Sequence, residues 1–128
     1  MRSCLILIVL LLGLGAWGQE PARTGNPDRG QLLFTTYCAS CHGEQGRGDG
    51  PAADRFARDL GVRPANLTTP EFQSSRTDAA LARAIRDGSL AVHRSLYMPA
   101  WGVTLSESQI ADLVAFIRQL GASLRPRE

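Results

Sequence analysis

The chain of 128 residues contains no lysine and has only three cysteines and two histidines. Its 14 basic side chains are therefore all arginines, and with 12 acidic residues they give a formal net charge of +2. So small and mixed a charge excludes a nucleic-acid binder or a polybasic membrane patch. Three cysteines are too few for a disulfide-rich scaffold or a four-thiolate metal site. The length excludes a multidomain enzyme and leaves room for one globular domain.

The N-terminal segment has the pattern of a secretory signal peptide. Arg2 precedes an apolar run from Cys4 to Leu14, and Ala16 and Gly18 are small residues at the spacing that signal peptidase accepts. An uncleaved membrane anchor is the alternative, but the run is shorter than the ~20 residues that cross a bilayer. Cleavage would remove Cys4 and leave two cysteines. We therefore predict a signal peptide over residues 1–18, a flexible leader over 19–26 and one domain over 27–128.

Hydrophobic periodicity predicts helices in the remaining chain, and no alternating strand pattern is present. The first helix follows the N-cap Asn26 and runs to about Tyr37, with proline at its first position. The second follows the N-cap Thr77 and runs to Arg86, and Gly88 is its predicted left-handed C-terminal residue. Its predicted buried residues are Leu81, Ala84 and Ile85.

The third predicted helix has the strongest signals. Ser106 and Gln109 form a capping box, and Gly121 is the predicted stop. Between the first and second helices, residues 43–67 are rich in glycine and indicate a flexible loop with a short helix over 52–60. The fold class is therefore all-α, with loops long enough to wrap a ligand. The third helix carries an apolar stripe of Ile110, Leu113, Val114, Ile117 and Leu120.

Cys38, Cys41 and His42 form the most specific motif in the sequence, Cys-Ala-Ser-Cys-His. This motif indicates covalent haem attachment, in which both thiols bond one porphyrin and the histidine binds its iron. A thioredoxin-like dithiol is one alternative, but it needs a preceding strand and a βαβ unit. A zinc site using these three residues and His93 is another, although adjacent Cys41 and His42 diverge poorly for one tetrahedral ion.

A second axial ligand for the iron has to come from later in the chain. Met98 is the only methionine left after signal cleavage, and it precedes Pro99 in a predicted loop. A thioether binds both ferric and ferrous iron and raises the reduction potential when it lies opposite histidine. His93 is the rival ligand.

Three segments resemble the class I c-type cytochromes, which are small soluble single-haem electron carriers. They are residues 30–43, 98–101 and 105–117. The resemblance implies the cytochrome c fold, with three main helices and loops wrapped around one covalently bound haem c. It also implies that the first and last helices cross closely beside the haem. The residues that match the family at this crossing are Gly30, Phe34, Leu113 and Phe116.

The resemblance also assigns roles around the haem. Pro64 to Leu67 is similar to a family segment whose proline carbonyl accepts the ring N–H of the proximal histidine, and Pro51 is the runner-up for that role. Leu67 and Trp101 are assigned to the haem pocket in the same way. The lack of lysine departs from the mitochondrial type, which uses lysines around the haem edge for docking.

These patterns together predict a periplasmic one-electron carrier and not an enzyme. We expect redox proteins as donor and acceptor, no small-molecule substrate, no nucleic acid and no stable membrane association after signal removal. Two alternatives remain open. One is a haem-bearing subunit of a periplasmic dehydrogenase or oxidase, and the other is an open-site haem enzyme or gas-binding module.

Overall fold

The computed structural model describes residues 24–89 and 98–123. Within these residues the chain forms helices and no strands, which confirms the predicted all-α class. None of these helices is both long and apolar enough to cross a membrane. The predicted signal peptide, most of the predicted leader and His93 lie outside the described residues. The helices are α1 (Pro27–Tyr37), α2 (Ala39–His42), α3 (Ala53–Leu60), α4 (Pro70–Ser74), α5 (Asp78–Asp87) and α6 (Glu107–Ala122).

The helix starts follow the capping residues. The side chain of Asn26 accepts a hydrogen bond from the Arg29 amide at the start of α1. The hydroxyl of Thr77 accepts one from a backbone amide in the first turn of α5. Both halves of the capping box between Ser106 and Gln109 are formed at α6. These three predicted starts are confirmed. The short α4 was not predicted, although it begins with the N-cap Thr69 and a proline at its first position.

The predicted helix ends need correction. Gly88 caps α5 with the expected positive φ of 79°, but its ψ of 171° is not that of a left-handed helical residue. Ala84 of α5 is only partly buried. Gly121 does not stop α6, which continues to Ala122. A Cβ on Gly121 would overlap the side chain of Gln73, so this glycine makes room for α4 inside a continuous helix.

Helices α1 and α6 cross in close contact and form the centre of the domain. A side chain on Gly30 would overlap the Asp112 carbonyl of α6, so only glycine allows this approach. Beside the crossing, the rings of Phe34 and Phe116 pack with centroids 5.3 Å apart. The crossing implied by the family resemblance is therefore present. Among the described residues, the largest fully buried side chains are Phe34, Ile110 and Leu113.

An ion pair between the buried Asp112 and the exposed Arg29 lies at this crossing. Asp112 is only 3% exposed, and its carboxylate accepts from Arg29 Nε at 2.8 Å and from the Asn26 amide at 2.7 Å. The bond from Arg29 lowers the pKa of Asp112, against the opposing effect of burial. Residues 24–26 therefore pack on α6, and this end of the predicted flexible leader is part of the domain.

Candidate functional site

The Cys-Ala-Ser-Cys-His motif forms the single turn of α2 and its N-terminal cap. Cys38 caps the helix, and the amides of Cys41 and His42 both donate to its carbonyl, at 3.2 and 2.9 Å. Residues at this spacing share one side of a helix. The two thiols and the imidazole therefore project from one short, continuous surface.

A helix of four residues is too short to be stable by itself, and the following loop supplies its missing bonds. The amides of Gly43, Ala52, Gly50 and Gly48 donate to the four α2 carbonyls in turn, from residue 39 to residue 42, at 2.7–3.2 Å. Positive φ angles at Gly43, Gly46 and Gly48 allow the chain to fold back in this way. The loop was predicted to be flexible, and in the structure its backbone is hydrogen-bonded to every carbonyl of α2.

The imidazole of His42 is oriented by a backbone carbonyl. Its Nδ1 lies 3.1 Å from the Ala65 oxygen. A carbonyl can only accept, so Nδ1 carries the proton and Nε2 keeps a free lone pair. Burial lowers the pKa of His42, and the bond to Ala65 opposes that shift only in part. The side chain is therefore a neutral imidazole ready to bind a metal through Nε2.

The acceptor of this bond is Ala65, and the prediction that it is the Pro64 carbonyl is wrong by one residue. The Pro64 oxygen instead faces Gly48, where a Cβ would overlap it. The Gly48 backbone lies beside both carbonyls, and it is the Ala65 oxygen that is within hydrogen-bond distance of His42. The other candidate, Pro51, is exposed, and the ring Nδ1 lies at hydrogen-bond distance from Ala65 instead.

The two cysteines of the motif are unpaired thiols. Burial, and to a smaller extent the neighbouring Cys41, raises the pKa of Cys38 to about 12. A thiol–disulfide exchange enzyme needs a cysteine whose pKa is lowered, because the thiolate is the nucleophile. The raised pKa of Cys38 and the absence of a strand in the described residues argue against the thioredoxin-like alternative.

The other predicted site residues lie around the core. Leu67 is buried, while Met98 and Trp101 are partly buried and pack against the core. The Trp101 ring lies 5.2 Å from that of Tyr37, and the Met98 backbone exchanges hydrogen bonds with Ser89. Trp101 and Met98 are thus held by α1 and by the end of α5.

Two residues at the site were not predicted. Ala65 holds the His42 ring through its backbone carbonyl, and no pattern of side chains could reveal that role. Tyr37 packs on Trp101, and its position on the same face of α1 as Phe34 is a signal that could have indicated it.

The donor set fits a covalently attached haem. It combines two free thiols, a neutral imidazole with Nε2 available, and a thioether packed at the core. Within residues 24–89 and 98–123, no group of three or more His, Cys, Asp or Glu side chains is arranged to hold a metal ion. The haem-attachment interpretation needs no such cluster, because the porphyrin supplies the equatorial ligands.

Comparison with known families agrees with this site. A family model described as cytochrome c oxidase, cbb3-type, subunit III matches residues 25–117. The chain belongs to this family of c-type cytochrome domains. Membership implies a covalently bound haem c, so both the predicted cofactor and the resemblance to c-type cytochromes are confirmed.

Individual relatives include oxidase subunits and a small carrier. A cbb3-type cytochrome c oxidase subunit FixP of Azorhizobium caulinodans is 32% identical over 104 residues, which cover 81% of this chain but 30% of that protein. The chain thus spans less than a third of the length of this relative. A cytochrome c6 of Synechococcus sp. is 27% identical over 118 residues, which cover 91% of each chain.

Solved structures share the fold. The KustC0563 c-type cytochrome superposes with a TM-score of 0.54 at 22% identity, over 71% of this chain and 95% of that one. A chain of the Kuenenia stuttgartiensis reducing HAO-like protein complex Kustc0457/Kustc0458 gives a TM-score of 0.59 at 25% identity, over 85% of this chain and 50% of that one. The cytochrome c fold is therefore found here, and the comparisons support a role in carrying electrons.

Proposed function

We propose that the chain is an exported, periplasmic cytochrome with a single haem that moves one electron at a time between larger redox proteins. The observation that carries the proposal is the His42 site, where one helical turn presents two thiols and an imidazole whose Nδ1 is held by Ala65. Export through a cleaved signal peptide over residues 1–18 is part of this proposal.

A covalently bound haem would supply an iron that changes between the ferric and ferrous states. Cys38 and Cys41 would bind the porphyrin through two thioether bonds. His42 would bind the iron through Nε2, while its Nδ1–H stays on the Ala65 carbonyl. Met98 would supply a second ligand through its thioether, and Leu67 and Trp101 would pack near the ring. With both His42 and Met98 bound to the iron, its coordination would stay the same in both oxidation states, which would suit rapid electron transfer and not substrate binding.

A second candidate is a haem-bearing subunit of a periplasmic oxidase or dehydrogenase. The family match favours it, since the matching model describes an oxidase subunit. The match to cytochrome c6 covers 91% of that protein's length, which favours a carrier that works by itself. Purification of the chain from its native membrane and soluble fractions would distinguish them. Stable co-purification with a larger redox complex would favour the subunit, and recovery as a free protein would favour the carrier.

Covalent attachment through both thiols is tested first. After expression with a haem-maturation system, we expect a denaturing gel to show haem staining on the wild-type band. The Cys38→Ala, Cys41→Ala double variant should show none, because no thioether can form. Cys4→Ala is the matched control and should stain like wild type, since Cys4 lies in the predicted signal peptide. A colourless mature wild type whose two thiols still react with an alkylating reagent would refute the proposal.

The sixth ligand is tested with carbon monoxide. The reduced wild-type protein should bind the gas slowly and weakly, because Met98 occupies the position it needs. Met98→Ala should bind it rapidly, whereas His93→Ala should behave like wild type. Rapid binding by wild type that Met98→Ala does not change would instead indicate an open-site haem protein. If His93→Ala binds carbon monoxide rapidly and Met98→Ala does not, the second iron ligand is His93 and not Met98.

A further inference from the structure

The segment Pro64–Thr68, called the strap here, carries the carbonyl that orients His42. Two bonds fix its Leu67 backbone. The Leu67 amide donates to the Gly46 carbonyl at 2.7 Å, and the Leu67 carbonyl accepts from Gln73 Nε2 at 2.6 Å. The first bond ties the strap to the loop that clamps α2. The second ties it to the side chain of a residue on α4.

The amide group of Gln73 uses both its donor and its acceptor. Besides the bond to Leu67, Nε2 donates to the Ile117 carbonyl of α6 at 3.0 Å. Its Oε1 accepts from Arg118 Nη1, also at 3.0 Å. An amide with partners at both atoms has a single favourable orientation. Gln73 therefore links the strap directly to α6.

The surroundings of Gln73 are built to keep it in place. Gly121 leaves space for its side chain on α6, as a Cβ there would overlap it. Arg118 also donates to the Gln73 carbonyl at 2.7 Å and to Asp78 at 2.7 Å, which anchors α4 and the start of α5 to α6. Helix α6, which contributes many of the buried residues of the core, thus supports the side chain that holds the strap.

We propose that Gln73 is a positioning residue for His42, and that by fixing the strap it sets the strength of the Ala65 bond and hence the reduction potential. This inference rests on the proposed function, because it assumes that His42 binds the iron. Gln73 bonds to the Leu67 carbonyl, which lies two peptide units along the strap from the Ala65 carbonyl.

The direction of the effect follows from the chemistry of the ligand. A hydrogen bond from Nδ1–H to a carbonyl makes the imidazole a stronger electron donor, and a stronger donor stabilises ferric over ferrous iron. Loss of Gln73 frees the Leu67 carbonyl, lets the strap move and weakens the bond to Ala65. The reduction potential should therefore rise.

The experiment uses matured, haem-loaded protein and two uncharged variants. Gln73→Met keeps the length of the side chain but removes the Nε2 donor and the Oε1 acceptor. Gln73→Asn keeps the amide group, but its shorter side chain cannot reach the Leu67 carbonyl. The measurements are the reduction potential and the exchange rate of the His42 Nδ1 proton by NMR. Asp112→Asn is the control, because it weakens α6 at its ion pair with Arg29 and leaves the strap bonds unchanged.

Both Gln73 variants, or Gln73→Asn alone if Gln73→Met does not fold, should have a higher potential and a faster-exchanging Nδ1 proton. Asp112→Asn should lose thermal stability with neither change. A wild-type potential and exchange rate in a folded Gln73 variant would overturn this inference and leave the proposed function intact. Equal changes of potential and exchange rate in Asp112→Asn would also overturn the inference, because they would show that any loss of stability produces them. A wild type without covalent haem, or without His42 on the iron, would refute both.

Discussion

Replacement of Gly30 by valine is expected to lower the free energy of unfolding by about 3 kcal/mol, which corresponds to a fall in Tm of about 12 °C or more. A Cβ at this position would overlap the Asp112 carbonyl of α6 and crowd Phe116. The obstacle is backbone, so no side-chain rotation relieves it, and α1 and α6 have to separate. Denaturant unfolding of the haem-loaded protein measures the effect.

Gln31→Val is the matched control for the crossing. It lies next to Gly30 on α1 but is exposed, so it tests valine in the same helix without the close approach. Helix propensity alone would make Gly30→Val slightly stabilising, because valine is a better helix former than glycine. Destabilisation of Gly30→Val with a near-normal Gln31→Val would thus isolate the contact. A Gly30→Val protein as stable as wild type would mean that α1 and α6 do not cross this closely.

The second large effect is expected at the ion pair between Arg29 and Asp112. Asp112→Asn should destabilise the protein by about 2 kcal/mol, because a charge-assisted bond to a buried group is lost. Arg29→Met should destabilise it more at neutral pH, although Arg29 is 63% exposed and Asp112 is buried. Without Arg29 the buried carboxylate of Asp112 keeps, among the described residues, the Asn26 amide as its one partner, whereas Arg29 without Asp112 can be solvated by water.

The pH dependence of this pair has a definite sign. In wild type the bond from Arg29 lowers the folded pKa of Asp112, so its contribution is present above the unfolded pKa of about 3.9 and is lost as the pH falls through the folded pKa. In Arg29→Met only burial and the Asn26 bond remain, and the folded pKa rises. The stability difference between the two proteins should therefore shrink between pH 7 and pH 4.

Urea unfolding of wild type and Arg29→Met across this pH range measures the difference. Arg55→Met is the control, because Arg55 makes an exposed ion pair with Asp59. It should show no resolvable change at either pH. A constant difference for Arg29→Met across the range would show that the loss comes from packing of the arginine chain and not from the charge of Asp112.

The buried acid illustrates what the sequence could and could not predict. Helical spacing places Asp112 off the apolar stripe of α6, so the sequence indicates an exposed acid. Its burial, and its pairing with Arg29 among so many arginines, appear only in the structure. The choice depends on how α1 crosses α6, which is a property of the folded chain.

The Gln73 linkage lies further beyond sequence reasoning. A glutamine on a five-residue helix carries no periodic or capping signal, and Gly121 resembles a helix stop. Both acquire their role only when α4 packs on α6. The choice of Ala65 over Pro64 has the same origin, because it depends on how the segment around Ala65 packs against His42 in the folded chain.

Local chemistry alone determined the helix starts, the all-α class and the haem motif, since caps, periodicity and the spacing of Cys38, Cys41 and His42 act over a few neighbouring residues. Only the tertiary structure decided which carbonyl orients His42, which arginine pairs with Asp112 and why Gly121 is a glycine. Each of these depends on contacts between segments that are distant in the chain, and such contacts arise from packing that no local pattern encodes.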